Sequence, residues 1–256
     1  MQQQHHQHHT GHEREHVHVH AQHYEEDKTN SRIWLYGGLA LLILALIYSA
    51  VLLFNAKSKS SAVGNLDVVQ MQFDPSHDDM GVAVGSPDAK VTVREFADYQ
   101  CPACGGFEPV LQQMRKDYVD TGKVRFVFFD YPIEDRHKNS VVAAQFARCA
   151  GDQSKYWQMH DALYANQAQW AGMKDPLDTF LGYSGKLGID GSRMLACIRM
   201  GTTHEDVMRS EAYGDALGLH ATPTFAVNGE AYVGGVKYQD LKGLIDQQLT
   251  AANVSH

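Results

Sequence analysis

Cys101 and Cys104 stand three residues apart in the run Cys101-Pro102-Ala103-Cys104, two of only four cysteines in a chain of 256 residues. That spacing suits dithiol chemistry. A thiolate is the nucleophile in disulfide exchange, and the N-terminus of a helix, with unpaired N–H groups and the positive end of the dipole, favours its charge. Pro102 has the fixed φ of a first helical turn. Cys101 then reads as the attacking thiol and Cys104, one turn deeper, as the resolving thiol. Structural zinc also uses this spacing, but it wants a second close pair of ligands. Cys149 and Cys197 are isolated and far away in sequence, so no metal site is assigned.

Two other positions bear on that chemistry. Glu95 lies six residues before Cys101, in a run of β-branched and aromatic residues, Val91–Phe96, that reads as a strand. Alternation puts Glu95 on the face of Val91 and Val93, which points to a buried carboxyl group. Desolvation would raise its pKa and fit it to exchange a proton with Cys104. A strand-end glutamate facing water is the other reading. The second position is Ala221-Thr222-Pro223-Thr224-Phe225. A proline is tolerated where a strand opens, and its peptide bond is either an ordinary trans one or a cis one forming a tight turn. His160 and Trp157 fall on an amphipathic helical pattern and read as packing or capping groups.

The elements that must position these residues follow from periodicity. After Cys101, Phe107, Val110, Leu111, Met114 and Tyr118 form one helical stripe, which Gly122 stops. Val124–Phe129 is an apolar run of strand length, as expected for a strand covered on both faces. Strand, helix, strand is the crossover unit of a parallel sheet. Residues from about 138 to 218 show helical patterns with little strand signal. A strand at Thr224–Val227, an Asn228-Gly229 hairpin turn, a return strand at Ala231–Val233 and a helix through Leu241, Leu244, Ile245 and Leu249 close the chain.

The rest of the sequence divides sharply. Residues 1–32 hold nine of the 15 histidines with several glutamines and no apolar period, so a disordered polar tail is expected. Ile33–Phe54 runs 22 residues without a charge. As a helix it would extend roughly 33 Å, enough for a hydrocarbon core of about 30 Å. The poor cleavage site at Ser49-Ala50-Val51 favours a retained anchor over a removed signal. Residues 55–80 read as a linker, with an apolar stretch from Leu66 to Phe73 that is either a strand or a helical arm, and residues 81–256 read as the folded domain. The mean hydropathy of −0.35 blends these parts, and the formal charge of −8 argues against a nucleic-acid binder.

The segment VTVREFADYQCPAC at 91–104, supported by KYWQMHDALY at 155–164 and ATPTFAVNG at 221–229, resembles the DsbA-like branch of the thioredoxin superfamily. The resemblance runs from about Gly85 to Val254. It implies an α/β thioredoxin fold with a helical insertion at about 138–218, preceded here by a single transmembrane helix. It implies that Cys101 attacks, Cys104 resolves, Glu95 matches the buried acid and Pro223 the cis-proline. Thr222 would contact the sulfur and bind an extended substrate chain through its backbone. Pro102-Ala103 departs from the Pro-His pair of strong oxidants in this branch, and Ala103 brings no positive charge to a thiolate. Cys149 and Cys197 would form a second, structural disulfide, as in some members, or remain two buried thiols.

The function expected is disulfide formation in reduced or misoxidised exported proteins. No cofactor is expected, and a membrane redox partner would restore the active-site disulfide. The catalytic domain would lie on the extracytoplasmic side of an inner or plasma membrane, because disulfide chemistry belongs there and all four cysteines follow the anchor. A disulfide isomerase or reductase on the same fold is the alternative. A metal-binding module using the histidine tail and the cysteine pair is a weaker one.

Overall fold

The computed structural model describes Tyr36, Leu39, residues 41–51 and residues 68–254. The chain divides into two units, 1–62 and 63–256. In the first, residues 41–51 are helical with exposed side chains. No helix among the described residues is long and apolar enough to cross a membrane. The expected tail at 1–32 and part of the expected anchor at 33–54 lie outside the described residues.

The second unit is built on one mixed sheet of six strands: β1 (Val68–Gln70), β2 (Val82–Val84), β3 (Val91–Ala97), β4 (Val124–Asp130), β5 (Thr224–Val227) and β6 (Glu230–Val233). Their order across the sheet is β1-β6-β5-β3-β4-β2. β3 and β4 run parallel, and every other pairing is antiparallel. The apolar stretch after residue 66 is thus a strand over Val68–Gln70, with a 3₁₀ turn at Pro75–Met80 behind it. Both lie in the stretch assigned to a linker, so that boundary moves. Pairing with β6 recruits residues whose own pattern is too short to declare a strand.

Helix α1 (Pro102–Met114) makes the crossover from β3 to β4, and a π turn at Arg115–Val119 carries it on to Gly122, whose φ of +74° ends it. The insertion supplies α2 (Ser140–Gly151), α3 (Tyr156–Ala165), the short α4 (Gln167–Trp170), α5 (Leu177–Lys186), α6 (Gly191–Met200) and α7 (His204–Ala216). Helix α8 (Tyr238–Val254) closes the chain. The β5–β6 hairpin turns through Asn228 and Gly229, and its positive φ, +53°, falls on Asn228.

Strand alternation sorts the core into two. Phe126 and Phe128 of β4 face the larger cluster, with Val91 and Val93 of β3 and Phe107, Leu111 and Met114 of α1. Val127 and Phe129 face the other way, with Phe96, Tyr131 and Tyr213. Arg94 of β3 is buried and makes a two-pronged pair with Asp78, at 2.7 and 2.9 Å. Removing either partner would strand a buried charge, a loss of about 3–5 kcal/mol. Glu95 shares its face with Val91 and Val93, and so lies under α1.

Candidate active site

Cys101 caps α1 with extended backbone (φ −68°, ψ 120°), and Pro102 occupies the first turn as its fixed φ requires. The helix therefore begins at Cys101, and its free N–H groups face the sulfur. Cys101 and Cys104 are both free thiols in this structure. Cys104 is 1 % exposed and Cys101 8 %.

The two thiols are driven apart electrostatically. Cys101 is lowered to about 5, first by a hydrogen bond from the Cys104 thiol, against the opposing effect of burial. The Thr222 side chain and the backbone N–H groups of Cys104 and Ala103 add to this. The Thr222 hydroxyl is buried with no partner at ordinary hydrogen-bond distance. Cys104 is pushed well above the ordinary thiol range, chiefly by burial, then by Cys101 and the nearby Glu95 carboxyl. The positive charge that Ala103 does not bring is thus replaced by hydrogen bonds and the helix end.

Glu95 is 1 % exposed, and its Oε2 has no hydrogen-bond partner. Burial raises its pKa well above the ordinary value of 4.5, and repulsion from Glu108 adds to this. The solvent-facing reading of Glu95 fails because its face of β3 is covered, with Val91 and Val93 fully buried against Phe107, Leu111 and Met114 of α1. The Thr222–Pro223 bond is cis, and the Thr222 carbonyl oxygen lies 3.5 Å from Cys101 Sγ. The structure thus gathers Cys101, Cys104, Glu95, Thr222 and Pro223 at one end of α1. Pro102 and Ala103 form its exposed rim.

Cys149 and Cys197 are elsewhere, on α2 and α6, joined in a disulfide with Cα atoms 6.0 Å apart. That bond also removes them as ligands for any metal at Cys101 and Cys104.

Sequence reasoning missed the polar frame of the loop before Cys101. The Asp98 carboxylate is buried, accepts the Gln100 and Ile133 N–H groups, at 2.7 and 2.8 Å, and contacts His137 Nδ1 at 2.7 Å. Gln100 accepts the Asn139 N–H at 2.7 Å and donates to the Ala171 carbonyl at 2.6 Å. Gln167 donates to the Tyr99 and Cys101 carbonyls. None of these has a periodic signature, since each partner lies more than 30 residues away apart from the local Asp98–Gln100 turn.

His160 is a buried packing residue, as expected, but a bonded one: Nδ1 lies 2.8 Å from the Tyr99 hydroxyl and Nε2 3.2 Å from Glu108 Oε2. Burial works to raise Glu108, but His160 and Arg115 outweigh it and hold the carboxyl below its ordinary value. Glu108, His160 and Asp161 bring ligand atoms within 4.8 Å of one another. Arg115 bonds both carboxylates, at 3.0 and 2.5 Å, so the cation this cluster needs is already supplied by the protein.

A strand–helix–strand unit with a dithiol at the helix N-terminus beside a cis-proline defines a thioredoxin-type redox domain. A thioredoxin family model matches residues 77–247, and the chain belongs to that family. It is 35 % identical over 165 residues to the Na(+)/H(+) antiporter NhaA 1 of Salinispora arenicola (strain CNS-205), covering 63 % of this chain and 24 % of that protein. The chain spans about a quarter of the length of the antiporter relatives it matches. It is 27 % identical over 172 residues to the probable disulfide bond formation protein D of Bacillus anthracis, covering 65 % of this chain and 77 % of that one. Oxidised BdbD from Bacillus subtilis superposes with a TM-score of 0.63 at 24 % identity, covering 72 % of this chain and 99 % of that one. The DsbA-like resemblance read from residues 91–104 is borne out.

Proposed function

We propose that Cys101 and Cys104 form a thiol–disulfide exchange centre that oxidises dithiols in exported proteins. The carrying observation is the asymmetry of the two sulfurs: the Cys101 thiol, beside the exposed Pro102–Ala103 rim, is lowered to about 5, and the Cys104 thiol, 1 % exposed, is pushed well up. A stabilised thiolate is a good leaving group, and stabilising the reduced state makes the disulfide the stronger oxidant.

The reaction starts from the Cys101–Cys104 disulfide. A substrate thiolate attacks Cys101 Sγ, and Cys104 leaves and takes up a proton, which the nearby buried Glu95 carboxyl can supply. A second substrate thiolate then attacks the substrate sulfur of the mixed disulfide and releases Cys101 as a thiolate. The substrate loses two electrons and two protons and gains a disulfide; the active-site disulfide becomes a thiol at Cys104 and a thiolate at Cys101, and the second proton goes to solvent. The backbone at Thr222 and Pro223 offers an extended substrate chain its hydrogen bonds. A membrane redox partner, quinone-linked in this reading, accepts the electrons.

The chain is anchored by Ile33–Phe54 in an inner or plasma membrane, with the redox domain outside the cytoplasm. The uncharged length of that segment supports this, as does a bonded cysteine pair on the same side of it as the dithiol. Cys104→Ser in the full chain tests the function. It should accumulate mixed disulfides through Cys101 with a reduced, unfolded protein, because the resolving thiol is gone. A variant that forms no adduct, in a wild type that exchanges no disulfides, would refute the proposal.

A further inference from the structure

Two glycines follow Cys104 inside α1, where each costs roughly 1 kcal/mol against alanine. Gly106 has nothing within 4 Å of where a Cβ would stand. Gly105 differs: its Cβ would lie 2.5 Å from Gln167 Oε1, with the Gln167 Cδ and Nε2 atoms next at 3.0 and 3.1 Å. Gly105 makes room for one side chain, and that side chain reaches the nucleophile's loop.

The Gln167 amide carries two N–H donors, and Nε2 bonds two carbonyls of that loop, Tyr99 at 2.8 Å and Cys101 at 2.9 Å. The Cys101 carbonyl also accepts the Gly105 N–H at 3.1 Å, the bond that opens α1. Pro102 has no N–H, so these two donors to the Cys101 oxygen fix the Cys101–Pro102 peptide plane. The Ala103 and Cys104 N–H groups, which favour the Cys101 thiolate, follow directly from that plane. Gln167 is itself held firmly. Its helix, α4, is four residues long and is pinned by the fully buried Trp170, whose Nε1–H donates to the Leu163 carbonyl at 2.8 Å.

We propose that Gln167 is a positioning residue through which the helical insertion sets the reactivity of Cys101. This rests on the exchange function proposed above. Gly105 is its necessary complement, the residue that lets the amide approach.

The test uses the reduced full chain and follows the pH profile of Cys101 alkylation by iodoacetamide, which reacts with the thiolate. Gln167→Ala should move the profile to higher pH by about one unit, making alkylation about tenfold slower on its acid limb, a difference of about 1.4 kcal/mol. Gly105→Ala should shift it the same way by displacing the amide, and should add nothing once Gln167→Ala is in place. Profiles that overlay the wild type, whatever happens to stability, would reduce Gln167 to a structural clamp and overturn the proposal. So would a Gly105→Ala shift that persists without Gln167. If Gln167→Ala fails to fold, the single Gly105→Ala variant decides, with an unshifted profile as the refuting result. An unmutated chain whose Cys101 alkylates only above neutral pH, with no disulfide exchange, would sink the exchange function instead.

Discussion

One pair of cysteines begins a helix and the other is set within two. Cys101 sits where α1 starts, beside free N–H groups, and both it and Cys104 are free thiols. Cys149 lies in the last turns of α2 and Cys197 past the middle of α6, away from either helix's positive end, and the two are bonded to each other. The sulfur is the same in both pairs, and its place on the helix differs. At the N-terminus a thiolate gains from the backbone, which makes the bond reversible; within the helices no helix end rewards a thiolate. The first pair is placed for exchange, and the second holds α2 to α6.

Cys101→Ser breaks the comparison most completely. Exchange activity should vanish, while Cys149–Cys197 stays oxidised, as counting free thiols in the denatured variant will show. The next largest effect concerns Glu95→Gln. Losing a positioned proton donor should slow turnover on the order of a hundredfold, read by stopped-flow oxidation of a reduced peptide. The same change should stabilise the fold at high pH. The raised pKa of Glu95 contributes stability below the unfolded value of 4.5 that is lost as pH rises through the folded value, so the gain of the variant over wild type should grow across that window. Urea melts at several pH values will measure it.

Removing the second pair sharpens the comparison from the other side. Cys149 and Cys197 close a loop with a sequence separation of 48. The double change to serine should cost about 4 kcal/mol of stability by the loop-entropy relation, while the exchange rate of the folded variant stays within a few-fold of wild type. Denaturant melts and peptide oxidation on one sample test both halves. The smallest effect is a difference in pH response. Cys101 alkylation in the native reduced protein should be half-maximal near pH 5 and nearly flat from pH 7 to 8. Cys104 should stay unmodified over that range, as mass spectrometry of the digested protein can show.

Much of this site is legible in the sequence because it is local. The dithiol, the proline of the first turn and the strand that carries Glu95 lie within 14 residues, and alternation alone buries Glu95 with Val91 and Val93. Pro223 and Thr222 depend on the resemblance, since a proline before a strand does not itself say which sulfur lies next to it. The bonding of Cys149 to Cys197 is not legible, because it depends on how α2 packs on α6. The same holds for Gln167, Gln100 and Asp98. These are polar residues on short or irregular segments, and their value lies in carbonyls and N–H groups far along the chain. The strand Val68–Gln70 was ambiguous for a related reason: three residues carry no period, and only the β6 edge defines them.

The reduction potential of the Cys101–Cys104 couple, obtained by equilibrating the full chain with glutathione buffers, tests the central claim most directly. A thiolate stabilised at the head of α1 favours the reduced state, so the potential should lie well above the roughly −270 mV of a reducing thioredoxin. A value at or below that level would contradict the oxidising role and make the domain a reductant.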